Sequence, residues 1–76
     1  SLKNLKNINK SVLLNKNIIS LVEKHQEELG KKGRILLRPS GTEDLIRVMV
    51  ECTDLNLLKS TIEIISKAII KENDNK

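Results

Sequence analysis

Phenylalanine, tyrosine and tryptophan are absent from this chain of 76 residues. Base stacking on aromatic rings, which single-strand nucleic-acid binders rely on, is therefore excluded. The core has to be aliphatic, built almost wholly from Leu, Ile and Val. A single cysteine, Cys52, rules out an internal disulfide and fits a cytoplasmic origin. No apolar run approaches the ~18 residues that a bilayer span requires, so the membrane is not a partner by that route. A strong excess of one charge is missing too: 14 Lys and Arg stand against 10 Asp and Glu, and the net charge of +4 would suit an anionic partner. That is a mixed surface rather than a basic one, and long nucleic acid is not implied.

The length allows one small domain, 1–76, and not two. A domain of this size buries only about 60% of its unfolded surface, so its stability alone is marginal and a larger parent would help. The chain opens on Ser rather than Met and carries no signal-peptide pattern. The expectation is an excised piece of a longer cytoplasmic protein.

Hydrophobic spacing gives the elements. Leu2–Ile8, with apolar residues three apart, reads as a strand. Asn15 is placed to cap a helix over Lys16–Leu29, in which Ile18, Val22 and Leu29 share one face and Glu23, Lys24, Glu27 and Glu28 face water. Gly30 stops it. "RILLR" and "DLIRVMVEC" are β-branched, bounded by turn residues, and predict strands at Arg34–Arg38 and Asp44–Cys52. In the second, Ile46, Val48 and Val50 fall on one face and Leu45, Arg47, Met49 and Glu51 on the other. Thr53 or Asp54 can cap a last helix with Leu58, Ile62, Ile65 and Ile69 as its buried stripe. The end, "KENDNK", has nothing to bury, and fraying is expected over 72–76. The fold class is α+β, in the order β-α-β-β-α, with an antiparallel sheet and both helices on one face.

The connection inside the antiparallel pair is "RPSGTED", Arg38–Asp44, and it is richer than a turn requires. Arg38 offers a planar fork that matches two phosphate oxygens and never loses its charge. Ser40 and Thr42 add hydroxyls, Pro39 restricts the backbone, and Gly41 permits the positive φ with which successive N–H groups converge on one anion. Each charge-assisted hydrogen bond adds about 1.5–3 kcal/mol. Glu43 and Asp44 would repel a phosphate unless turned away from it. The residues alone leave two readings open, a small phosphate clamp and an ordinary hairpin loop made of common turn formers.

"LLRPSGTEDLIRVMVE" resembles the C-terminal phosphate-binding domain of the α-D-phosphohexomutases, and "SGTE" followed by "LIRVMVE" is most similar to the phosphoglucosamine mutase branch. The likeness runs from about Leu2 to Ile70, with its specificity in Arg38–Glu51. It implies that Arg38, Ser40, Gly41 and Thr42 bind the phosphate of a phosphosugar, with Arg47 as a second arginine at the same group. It also implies a parent isomerase that interconverts glucosamine 6-phosphate and glucosamine 1-phosphate through a bisphosphate. The phosphoserine, the Mg²⁺ site and the sugar-selecting loop of such an enzyme lie in preceding domains. None of those motifs is in this chain, so no catalytic and no metal residue is assigned, and the isolated piece is expected to bind and not to catalyse. The sequence departs from the family pattern at Asp44, where Pro usually follows the Glu. A rigid residue is replaced there by a flexible anion.

Three other features are assigned ordinary roles. His25 has no second ligand at metal-binding spacing and reads as a surface or boundary residue. Cys52 ends an apolar strand without a neighbouring base. "GKKG", Gly30–Gly33, looks like the backbone-clamping loop of KH domains, but that loop joins two helices, and here a strand follows.

Overall fold

The computed structural model describes residues 1–74. Three strands and two α-helices follow in the order β1 (Leu2–Lys6), α1 (Lys16–Leu29), β2 (Gly33–Pro39), β3 (Leu45–Cys52) and α2 (Leu55–Asp74). The sheet is antiparallel with spatial order β1-β3-β2, so β3 is the central strand. Both helices cover one face.

The alternation along β3 decides which face that is. Ile46, Val48 and Val50 are 0% exposed. They meet Leu5 of β1, Ile35 of β2, Ile18 and Leu29 of α1, and Leu58, Ile65 and Ile69 of α2 in a single aliphatic core. Ile62, expected in the α2 stripe, is partly buried at its margin, while Thr61 and Ser66 are buried beside the stripe. The opposite sheet face carries Leu45, Arg47, Met49 and Glu51, and among the described residues no helix lies over it.

Local chemistry sets the boundaries. The first strand stops at Lys6, short of the expected Ile8, because Asn7 turns to φ +61°. Ile8 then drops into the core and a 3₁₀ turn at Lys10–Leu14 buries Val12. The spacing had not predicted this turn. Asn15 caps α1, its side-chain oxygen accepting from the N–H groups of Asn17 at 2.8 Å and Ile18 at 3.4 Å. Gly30 ends α1 at φ +56°, a region in which a Cβ is strained. Asp54, rather than Thr53, caps α2 by accepting from Asn56 N at 3.0 Å and Leu57 N at 3.1 Å.

β2 runs one residue further at each end than Arg34–Arg38, and β3 begins at Leu45 rather than Asp44. At the outer edge of β2 the Gln26 amide behaves as a short piece of extra strand. Its Nε2 donates to Gly33 O at 3.0 Å and its Oε1 accepts from Ile35 N at 2.9 Å. Part of an exposed edge is thereby closed to other chains.

Of the stretch 72–76, where fraying is the expectation, residues 72–74 are helical and hydrogen-bonded. Helix α2 continues to Asp74. Glu72 accepts from the side-chain amides of Asn15 at 3.0 Å and Asn17 at 3.1 Å, and Asn73 Oδ1 accepts from Asn9 N at 3.0 Å. These polar ties replace the apolar contacts that the segment lacks. Residues 75 and 76, the rest of that expectation, lie outside the described residues.

His25 is buried, at 9% exposure, not a surface residue. It continues the inner face of α1 from Ile18 and Val22 toward Leu29, and its Nδ1 lies 3.5 Å from Glu28 Oε2. Gly30–Lys32 forms a 3₁₀ turn leading directly into β2, so the "GKKG" stretch joins a helix to a strand.

Candidate functional site

Register places the candidate residues. In the β2–β3 ladder Arg38 stands directly opposite Arg47, and in the β1–β3 ladder Asn4 stands opposite Arg47 on its other side. The uncovered sheet face therefore carries a row Asn4, Arg47, Arg38 across all three strands. Further along the same ladder Arg34 faces Glu51 and pairs with it, Nε to Oε2 at 3.1 Å. One end of this strand pair thus matches opposite charges, as cross-strand energetics favour, and the other end opposes like charges, which is destabilising. Among the described residues no carboxylate forms an ion pair with Arg38 or Arg47.

Beside the two arginines lies a cavity of about 220 Å³ lined by Arg38, Pro39, Ser40, Leu45 and Arg47. Its base is fixed by backbone bonds: Ser40 N donates to Leu45 O at 2.9 Å, closing the hairpin, and Ile8 N donates to Asp44 O at 3.0 Å. Arg47 Nε donates to Asn4 Oδ1 at 3.2 Å. Neither Glu43 nor Asp44 lines the cavity.

Of the five residues singled out in the sequence, the structure brings Arg38, Ser40 and Arg47 together around one space. Gly41 and Thr42 sit further out in the exposed loop and do not line it. Gly41 does not take the positive φ expected of it; Gly30 is the glycine that does, among the described residues. The N–H groups of Thr42 and Glu43 turn inward to Ser40 Oγ, at 3.5 and 3.4 Å, instead of converging outward on an anion. The loop's own hydroxyl thus takes up N–H groups that an anion in a nest would need. Asn4 is the participant that sequence reasoning missed. It carries no motif, and only the pairing of β1 with β3 sets it beside Arg47.

A second concavity, of about 260 Å³, lies on the helix side between Leu13, Ile18, Ile19, Val22, Glu23 and Leu37. Apart from Glu23 its lining is apolar. Among the described residues no three of His, Cys, Asp and Glu gather into a group that could hold a metal ion. None of the described helices is long and apolar enough to cross a membrane.

Residues 2–68 match the family model described as the phosphoglucomutase/phosphomannomutase C-terminal domain. The chain belongs to this family. The phosphohexomutase domain is 48% identical over 59 residues to phosphoglucosamine mutase 2 of Shewanella sp. (strain MR-4), which covers 78% of the chain and 13% of that protein. It is 40% identical over 72 residues to the phosphoglucosamine mutase of Brucella ovis, covering 95% of the chain and 16% of the relative. The Brucella suis biovar 1 phosphoglucosamine mutase matches to the same extent. The phosphohexomutase domain thus spans about one-seventh of the length of these relatives.

Proposed function

We propose that this domain is the phosphate clamp of a phosphoglucosamine mutase. The observation that carries the reading is the unneutralised pair Arg38 and Arg47, held opposite each other by strand register and opening on the same cavity as Ser40. Two positive charges forced together by the backbone are an unfavourable arrangement in an empty domain and a favourable one around a dianion. Arg38 supplies a fork for two phosphate oxygens, Arg47 a second charge, and Ser40 a hydroxyl. Gly41 and Thr42 join when the loop rearranges, so that the Thr42 and Glu43 N–H groups exchange Ser40 Oγ for a phosphate oxygen. Such a clamp would recognise a phosphate and make no demand on a sugar ring.

In the whole enzyme such a clamp would hold the distal phosphate of a hexosamine bisphosphate in either of its two orientations, while a phosphoserine in another domain exchanges the proximal one. Closure of the domain over the cleft would keep water from the transferring phosphoryl group. The Mg²⁺ of this scheme, the phosphoserine and the choice of glucosamine over other sugars belong to the rest of a cytoplasmic parent chain. The glucosamine assignment is supported by the names of the relatives at 40–48% identity. The family description also admits the phosphoglucomutases and phosphomannomutases, which would use the same clamp.

The test is an amide-resolved NMR titration of the chain with glucosamine 6-phosphate and with inorganic phosphate, beside Arg38→Ala. Shifts at 38–43 and at Arg47, equal for both ligands and lost in the variant, are expected. Binding that survives Arg38→Ala would favour the plain hairpin reading, for which the self-bonded Ser40 turn is the supporting observation.

A further inference from the structure

We infer that Asn4 is a positioning residue of the anion site, holding Arg47 through Nε so that its two terminal nitrogens stay free for phosphate. The inference rests on the phosphate reading above and assigns the site a partner from a third strand. Its basis is the row Asn4, Arg47, Arg38 and the 3.2 Å bond from Arg47 Nε to Asn4 Oδ1.

An arginine can grip an oxyanion side-on, through Nε and one terminal nitrogen, or end-on, through both terminal nitrogens. With Nε committed to Asn4, the side-on mode is closed and the end-on mode is left. Arg47 is a long, exposed side chain standing opposite the like charge of Arg38, which drives the two guanidinium groups apart. A tether on the β1 side fixes Arg47 against that repulsion while it still lines the cavity.

The chemistry of the tether matters as much as its place. An aspartate at position 4 would also accept from Nε, and would cancel the charge, as Glu51 does for Arg34 at 3.1 Å. An amide oxygen accepts the same hydrogen bond and carries no net charge, so the potential that attracts an anion is retained. Asn4 is exposed on the uncovered sheet face and contributes nothing to the core. Its substitution is therefore not expected to unfold the domain.

The experiment compares the unchanged chain with Asn4→Ala, Asn4→Asp, Arg47→Gln and Arg38→Ala, titrating each with inorganic phosphate and following backbone amides and the Arg47 Nε–H resonance by NMR. Thermal melting of each variant without phosphate is recorded alongside. Asn4→Ala should weaken phosphate binding several-fold. Asn4→Asp should weaken it at least as far as Arg47→Gln, while melting at or above the temperature of the unchanged chain. That divergence, a fold kept or strengthened and an anion lost, is not produced by a merely structural asparagine. Equal phosphate binding by both Asn4 variants, with Arg47→Gln impaired, would overturn the inference and leave the clamp reading standing. Loss of binding only in proportion to a fall in melting temperature would overturn it as well. No effect from Arg38→Ala and Arg47→Gln would instead sink the clamp reading, and the role of Asn4 with it.

Discussion

The opposed arginines make a prediction in which stability and binding move in opposite directions. Residues directly opposite in an antiparallel pair have Cβ atoms about 4.5–5.5 Å apart. Two guanidinium charges at roughly 6 Å repel by about 0.7 kcal/mol in a water-like dielectric, and by about half of that once physiological salt screens them. Arg38→Gln keeps most of the side-chain stem and removes the charge. In phosphate-free buffer of low ionic strength the variant should be more stable by about 0.3–0.7 kcal/mol, or roughly 2–5 °C in melting temperature for a domain of this size. Phosphate at ten times its dissociation constant adds about 1.4 kcal/mol to the unchanged chain and nothing to a variant that no longer binds it. The order of the two melting curves should therefore invert as phosphate is added. Far-UV circular dichroism against temperature, with chloride at matched ionic strength as control, reads both effects. A variant less stable than the unchanged chain without phosphate, or equally stabilised by it, would refute the argument.

Three further outcomes follow from the geometry. A Cβ on Gly33 would overlap the backbone carbonyl oxygen of Glu51, so Gly33→Ala should lose about 1–3 kcal/mol in urea denaturation; a loss below about 0.5 kcal/mol would mean that the strands part freely there. Asp54→Ala removes the α2 cap and should lose about 1 kcal/mol, with faster hydrogen exchange at the amides of Asn56 and Leu57 and not at Ile69. The Lys67 ammonium, 2.9 Å away, donates a hydrogen bond to Glu63 and holds its carboxyl below the usual carboxylate range. The small stability this adds is present above the ordinary carboxylate pKa and lost as pH falls through the lowered one, so Lys67→Met should flatten the acid limb of the stability profile; an unchanged limb would show that the pair contributes nothing.

The elements legible in the sequence were those whose periodicity agreed with their caps. Helix α1 was bounded correctly at both ends because Asn15 and Gly30 have specific backbone roles, and β3 was readable because its alternation is uninterrupted. Two kinds of feature were hidden. The 3₁₀ turn at Lys10–Leu14 has no period long enough to detect. His25 reads from the sequence as a surface or boundary residue, and its burial on the inner face of α1 is hidden because a polar side chain breaks an apolar pattern without leaving the face that the pattern defines. At the candidate site, Arg38, Ser40 and Arg47, singled out by chemistry and family resemblance, line one cavity. The conformation of Gly41 was not legible, because the Ser40 hydroxyl competes for the same N–H groups. Asn4 had to wait for register, since a residue 43 positions away in sequence gives no local sign of being Arg47's neighbour.

The contacts that tie the first residues to the last helical turn bear on how the domain comes into being. Asn9 and Asn73 are 64 positions apart, Asn15 and Glu72 are 57, and β1 can pair only with a strand some forty residues downstream. Almost nothing that secures β1 is local, so its ordering waits for the loop closures that bring β3 and the end of α2 into place. Helix α1 and the β2–β3 hairpin can form early from neighbouring residues. On that ground β1 is expected to join last, and until it does Arg47 lacks Asn4: the proposed anion site would then be completed by the final step of folding, and a partly folded domain would be without it.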